Sequence, residues 1–368
     1  MSDIAIAQLV ELGVLDADAP DAEVLVRLVR LALDHGATFD EIRAGIDEHR
    51  LHAVAAERVV LVGTRITLRE AAARAGVDVE FAQAFWRASG FADAGLDAAI
   101  CTEGDVEVLE LCEYSAQILG RPVALQLART NGSALARMAD ATIAVVRSRI
   151  EAPIRAEGGN ADEVTEAFVV LATDLLPRLY PSFEQVHRRH LTQAARRYSL
   201  WESEPSIEST TFAVIGFADL VGFTALTQEI AASDLDELLS RFEQHVLDAI
   251  PPEGARLVKL IGDEAMFVAG GVDQAVSIAR ELIQKSRDDP GLAEVRIGLA
   301  AGEVLIRDGD VFGPTVNRAS RLVTVAEPST PLVDQEVAVR LGPERAHALG
   351  LRKLPGFDTP IAVFELIG

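Results

Sequence analysis

The sequence predicts two domains of different class, an all-α helical bundle followed by an α+β domain. Three observations point there. Up to about residue 190, apolar residues recur at helical spacing, as in V-L-V-R-L-V-R-L-A-L over Val24 to Leu33. Beyond Ile207, short runs rich in β-branched and aromatic residues alternate with amphipathic segments. Between them lies F-E-Q-V-H-R-R-H-L-T-Q-A-A-R-R-Y-S-L, Phe183 to Leu200, a basic stretch in an acidic chain. The expected limits are 1–182 for the helical domain, 183–206 for a linker helix and 207–368 for the second domain. At 368 residues there is enough chain for a core in each.

Composition narrows the classes. The chain is 49% hydrophobic and 25% charged, with 34 basic and 57 acidic residues and a formal net charge of −23. That balance argues against a nucleic-acid partner and against an anionic membrane surface. Two cysteines, Cys101 and Cys112, give no disulfide framework and are expected to be buried free thiols. The chain opens without a secretory signal pattern, and no apolar run approaches the roughly 20 residues that span a bilayer. The expectation is a soluble, cytoplasmic protein with no membrane partner.

In the helical half, Thr38-Phe39-Asp40-Glu41 reads as a capping box opening a helix. Thr67 to Phe91 reads as two short helices around a turn, similar to the helix-turn-helix of MerR-type repressors. Its second helix would carry Phe81, Phe85 and Trp86, but it is poor in the Lys and Arg that phosphate contacts need. A packing unit is therefore expected rather than a DNA reader. Glu103 to Arg149 reads as two or three apolar helices broken near Gly120-Arg121-Pro122 and Asn131-Gly132. Such a bundle suits a dimer interface, or a pocket for an apolar small molecule. After Gly158-Gly159-Asn160, a helix from Asp162 to Leu176 is expected to end at Pro177 and Pro181. The linker helix carries Arg188, Arg189, Arg196 and Arg197 with His187 and His190, and those histidines gain charge near neutral pH.

The second half is organised by F-A-V-I-G-F-A-D-L-V-G-F-T, Phe212 to Thr224. A buried strand, Phe212 to Phe217, delivers Asp219 to its C-terminal end. Gly222 allows a tight turn, and Thr224 can cap the next helix. A-R-L-V-K-L-I-G-D-E-A-M-F-V-A, Ala255 to Ala269, reads as a hairpin turning at Gly262-Asp263. If that hairpin pairs beside the first strand, Asp219 and Asp263 meet. Two close carboxylates repel unless a cation lies between them, and an all-oxygen set favours Mg²⁺ or Mn²⁺ over zinc. In G-D-V-F-G-P-T-V-N-R-A-S-R-L, Asn317 and Arg321 lie four apart on one helix face after Pro314. An amide and a guanidinium so placed can bind ribose and phosphate oxygens. The remaining elements are helices over Ser233 to Ile250, capped by Ser233 with Asp236, and over Val272 to Arg287. A hairpin of Val295 to Ala301 with Glu303 to Ile306, a helix Pro314 to Val325 and a strand Ala362 to Leu366 follow.

F-A-D-L-V-G-F-T, K-L-I-G-D-E and D-V-F-G-P-T-V-N-R-A-S-R together resemble the catalytic set of class III nucleotidyl cyclases. The likeness covers about Ile207 to Gly368 and implies a ferredoxin-like core. It implies that Asp219 and Asp263, with the backbone carbonyl of Leu220, hold two Mg²⁺ or Mn²⁺. It implies that Lys259 and Asp310 read adenine, that Asn317 orients the ribose and that Arg321 stabilises the charged transition state. Guanylyl cyclases typically carry Glu and Cys as the purine-reading pair, so Lys259 with Asp310 points to ATP. Polar pairing has a physical reason to discriminate: lysine donates to the adenine ring nitrogen and the carboxylate accepts from the amine, and guanine reverses that pattern.

The resemblance further implies an adenylyl cyclase of the actinobacterial type, active as a homodimer with two interface sites. Some such cyclases are held inactive by a soluble helical N-terminal domain and respond to pH, which would make His187 and His190 regulatory. Two departures stand out. Glu303 replaces a basic residue that often contacts the phosphates, and Pro355-Gly356 replaces a common Lys-Gly. Two other readings remain at this stage, a catalytically silent ATP-binding sensor and a transcription regulator using Thr67 to Phe91.

Overall fold

The computed structural model describes residues 2–11, 22–200, 210–228 and 230–367. The chain divides into two compact units, Met1–Ala195 and Arg196–Gly368.

The regular elements of the first unit are helices, and an isolated antiparallel bridge ties Ile66 to Cys101 between them. Its elements are α1 (Ser2–Glu11), α2 (Ala22–Asp34), α3 (Phe39–Asp47), α4 (Leu51–Val60), α5 (Leu68–Ala75), α6 (Val79–Ala88), α7 (Glu103–Leu119), α8 (Arg121–Val146), α9 (Ala152–Ala156) and α10 (Ala161–Leu200). Two cores result. One joins Leu28, Val29, Ile42, Val54 and Val59 of α2–α4 to Val169 and Ala172 of α10. The other packs Leu68, Ala72, Phe81 and Ala82 of α5 and α6 against Val106, Leu109 and Cys112 of α7.

Local signals explain several ends. The Thr38–Glu41 capping box forms, with the Thr38 N–H donating to Glu41 Oε2 at 2.8 Å. Thr67 and Glu70 repeat it at the start of α5, and Gly76 ends that helix at φ +67°. Asp78 caps α6. The expected helix-turn-helix is therefore present; Arg69 pairs with Asp97 and Arg74 with Glu103, while Arg87 of α6 donates to Gln83 one turn back. Cys101 and Cys112 are buried free thiols, their pKa values pushed up to about 11 first by burial.

Two expected breaks do not occur. α8 runs through Asn131-Gly132, because Gly132 is a close-approach residue: a Cβ there would meet the Ser89 carbonyl oxygen at 2.3 Å. α10 runs through Pro177 and Pro181 to Leu200, so the basic segment continues the same helix. Both prolines are exposed and four residues apart, so the carbonyls they leave unpaired face solvent.

The second unit is an eight-stranded mixed sheet with helices on both faces, in the order β2-β3-β1-β4-β6-β8-β7 with β5 on β4. Its strands are β1 (Thr210–Leu220), β2 (Arg256–Ile261), β3 (Glu264–Ala269), β4 (Val295–Arg307), β5 (Asp310–Phe312), β6 (Leu332–Asp334), β7 (Ala346–Arg352) and β8 (Ile361–Leu366). The helices are α11 (Phe223–Leu226), α12 (Ala232–Ala249), α13 (Val272–Asp288), α14 (Pro314–Val325) and α15 (Gln335–Leu341). Strand alternation sorts the faces. Val214, Ala218 and Leu220 of β1 join Phe242, Ile278 and Val337 from α12, α13 and α15. Ala213, Ile215 and Phe217 face the other way, with Ala319, Leu322 and Val323 of α14.

Three local expectations are corrected. The hairpin at Gly302 is one continuous strand, β4, and the turn comes later at Asp308-Gly309. Gly302 serves close approach, since a Cβ there would lie 2.8 Å from Thr315 Oγ1 on α14. Ser233 does not cap α12, which starts from Ala231; its hydroxyl donates to Asp234 instead. α11 begins at Phe223, so Thr224 sits inside the helix, and its side chain lies outside the described residues.

Candidate active site

β1 pairs antiparallel with β3 on one side and β4 on the other, and opposite residues share a face. Glu264, Asp219 and Arg296 thus form one row across three strands, on the face that α14 covers. The Leu220 N–H donates to the Asp263 carbonyl at 3.3 Å, tying the end of β1 to the β2–β3 turn. Gly262 makes that turn at φ +61°, and Gly222 turns the chain after β1 at φ +74°.

The two aspartates are in contact. The Asp219 pKa is pushed up to about 7, first by burial, then by the charge of Asp263 and a hydrogen bond with it, then by Glu264. Arg296 only partly offsets this. Glu264 is also raised, by burial and by Asp263, with Lys259 and Arg321 opposing. Three acids so close form a site that a cation would relieve. The donor set is carboxylate oxygen with backbone carbonyls near, which suits a hard divalent ion.

Lys259 and Asp310, 51 residues apart, meet directly: Nζ donates to Oδ2 at 2.6 Å. Asp310 Oδ1 accepts from the Val311 N–H at 2.8 Å. Burial opposes ionisation of Asp310, but the bonds from Lys259 and Val311, with the charges of Lys259 and Arg256, hold its pKa below the usual range. Asn317 and Arg321 sit one turn apart on α14, exposed, with no side-chain hydrogen bond among the described residues. The charge of Arg321 reaches Glu264.

α14 is seated closely. A Cβ at Gly298 of β4 would meet Val323 N at 2.4 Å and Ala319 O at 2.5 Å. Thr315 donates to the Glu303 carbonyl at 3.0 Å. Arg318 lies 3.2 Å from Asp334, which is 1% exposed. Asp334 also accepts from Ala301 N at 3.3 Å and Val337 N at 3.0 Å. Sequence reasoning passed over Glu264, although it directly follows Asp263, and passed over Arg256, Arg296, Arg318 and Asp334. Glu303, Arg352 and Lys353 are exposed. His187 and His190 are exposed on α10, in the helical unit.

Comparison with known proteins agrees with this architecture. Residues 2–194 match the adenylate cyclase regulatory domain, and residues 206–349 match the adenylate and guanylate cyclase catalytic domain. An adenylate cyclase of Streptomyces coelicolor is 39% identical over 279 residues, 75% of this chain and 72% of that one. The chain belongs to the adenylate cyclase family. Another adenylate cyclase, from Streptomyces griseus, is 38% identical over 78% of this chain and 72% of its own. The pH-sensitive adenylate cyclase of Mycobacterium tuberculosis is 28% identical over 92% of this chain and 87% of that one. An adenylate cyclase makes cyclic AMP from ATP, and the two-domain expectation for this chain holds. Among its described residues no helix is long and apolar enough to cross a membrane.

Proposed function

We propose that this adenylate cyclase acts as a homodimer with two shared sites, using the residues assembled above. The observation that carries the reading is the Lys259–Asp310 bond, which fixes a donor and an acceptor side by side. On ATP binding, Lys259 donates to the adenine ring nitrogen and Asp310 accepts from the amine. Guanine would leave both unpaired. Asn317 orients the ribose, and Arg321 meets the charge that grows on the phosphate.

Asp219 and Asp263, with the Leu220 carbonyl, are the groups that would hold two Mg²⁺ or Mn²⁺. Bound there, such ions would lower the pKa of the ribose 3′-hydroxyl and neutralise the triphosphate. The chain's own task is positioning: its side chains hold the hydroxyl in line with the α-phosphorus, and pyrophosphate leaves. Asn317 and Arg321 are exposed and, among the described residues, make no side-chain hydrogen bond, which suits completion of each site by a second copy.

The regulatory reading assigns 1–182 to control, 183–206 to the linker and 207–368 to catalysis. It holds that the helical domain restrains the catalytic one and that His187 and His190 carry the response to pH. The likeness to a pH-sensitive cyclase supports it. The helical unit contains a cavity of about 780 Å³ in which Val54, Leu61 and Phe168 stand beside Arg50, Arg58 and Arg65.

The test is cyclic AMP production from ATP and Mn²⁺ by the full-length protein. In this reading the metal-holding and base-reading residues of one chain serve different sites, so a mixture of an Asp219→Ala chain with a Lys259→Ala chain should regain activity, because a mixed dimer keeps one intact site. Two inactive chains that stay inactive together would sink the shared-site reading. Replacing His187 and His190 should flatten the activity profile between pH 5.5 and 8; an unchanged profile removes them from the mechanism.

A further inference from the structure

The purine-reading pair has a third member. β2 carries an irregularity: Leu257 faces Phe267 and Lys259 faces Met266, so Val258 is an extra residue in the ladder. In an unbroken strand, Arg256 and Lys259 would point to opposite faces. The bulge puts both on the face that Met266 and Val268 share, towards β5. Arg256 Nη1 donates to the Gly309 carbonyl at 2.6 Å. Gly309 belongs to the two-residue turn joining β4 to β5, where Asp308 and Gly309 have φ +55° and +77°. The next residue is Asp310. Arg256 thus grips the turn that presents the carboxylate, while Lys259 grips the carboxylate itself.

We propose that Arg256 is a specificity-determining residue that keeps Asp310 in place while a purine occupies the site. The inference rests on the reading of Lys259 and Asp310 as the base-reading pair. Before substrate arrives, the two satisfy each other at 2.6 Å. To read a base, Lys259 must turn to a ring nitrogen and give up part of its hold on Asp310. The groups then facing Asp310 are the Val311 N–H, Arg307 across the ladder, which pairs with Asp308, and Arg256. Arg256 is the cation that supplies charge to Asp310 without touching the base.

A carboxylate only accepts hydrogen bonds, so it takes a purine bearing an exocyclic amine and rejects one bearing a carbonyl there. A shifted turn moves the acceptor away from the amine, and discrimination falls.

The experiment measures kcat/KM for ATP and for GTP on the same preparation of full-length protein. Taking the ratio cancels any inactive fraction, so poor folding of a variant does not mask the outcome. Arg256→Ala should lower the ATP/GTP ratio at least fivefold. Arg256→Gln keeps a neutral donor for the Gly309 carbonyl, so it should recover much of the ratio. A merely structural arginine would lower both substrates alike; a ratio within twofold of the parent in Arg256→Ala overturns the proposal. Asp310→Ala is the control. If it too leaves the ratio unchanged, the base-reading assignment fails; if it collapses the ratio while Arg256→Ala does not, only the role of Arg256 fails.

Discussion

Replacing Arg318 by Met probes the seat of the helix that carries Asn317 and Arg321. Asp334 is 1% exposed, and the Arg318 side chain is 30% exposed. Their 3.2 Å contact is an ion pair by distance, although Asp334 Oδ2 is off the line of a hydrogen bond. Burial raises the Asp334 pKa above the usual range, against the pull of the Val337 and Ala301 amides and of Arg318. A folded-state pKa above the unfolded one means that the proton-linked stability is present at low pH and lost as pH rises through the folded value. At neutral pH the ionised carboxylate therefore depends on Arg318. Breaking a buried pair from one side costs about 3–5 kcal/mol, and the exposure of Arg318 trims that to about 2–3 kcal/mol. For a domain of this size that corresponds to a melting temperature lower by roughly 4–12 °C. Calorimetry of the full-length Arg318→Met protein at pH 8 and pH 5 reads the loss, and hydrogen exchange should place it in β4, β6 and α15. The penalty should be smaller at the lower pH, because burial makes Asp334 easier to protonate. A loss under about 1 kcal/mol at pH 8, or an equal loss at both pH values, would refute the argument.

Three further outcomes are expected. Arg321→Ala should cut kcat by on the order of 100-fold with little change in KM for ATP, since its contact matters when charge develops; steady-state kinetics showing mainly a KM effect would contradict the assignment. Asp219→Asn should raise the melting temperature of metal-free protein above pH 7 and leave it unchanged near pH 4, because the Asp219 pKa lies at about 7 when folded and that carboxylate titrates lower when unfolded. A melting curve that moves equally at both pH values would count against the Asp219–Asp263 contact. Gly298→Val should lift α14 from the sheet, since even a Cβ would come within 2.4 Å of backbone; a loss of about 1–3 kcal/mol in urea unfolding is the expected overpacking cost, and an unchanged midpoint would show that the helix has room to move.

Much of the candidate site was legible because strand alternation and helix periodicity place charges without any knowledge of the partner. An acid two residues past Phe217 in β1 must share the face of Phe217, and Asn317 and Arg321 must share a face at four-residue spacing. The Gly262-Asp263 turn reads directly as a hairpin, so the meeting of Asp219 and Asp263 needed only the pairing of β1 with β3. What could not be read was any feature set by a partner far along the chain. Arg256 looks like an ordinary strand-edge cation until the β2 bulge turns it towards Gly309. Asp334 looks like a plain cap for α15, and its second use, with Arg318, depends on β6 lying parallel to β4.

Glycine shows the limit most clearly, because the missing Cβ serves two unrelated ends. At Gly222 and Gly262 it permits positive φ, and the turn readings there match the backbone. At Gly132 and Gly302 the same residue was read as a break, yet both lie inside continuous elements. There the absent Cβ makes room for Ser89 in one case and Thr315 in the other. Those neighbours are 43 and 13 residues away in the sequence, so no local pattern could distinguish the two uses. The second case reaches the chemistry. Gly298 and Gly302 let α14 lie against β4, and that contact sets how far Asn317 and Arg321 stand from the carboxylate row on β1 and β3. A sequence reading can therefore name candidate side chains on α14 while missing the small residues that seat the helix carrying them.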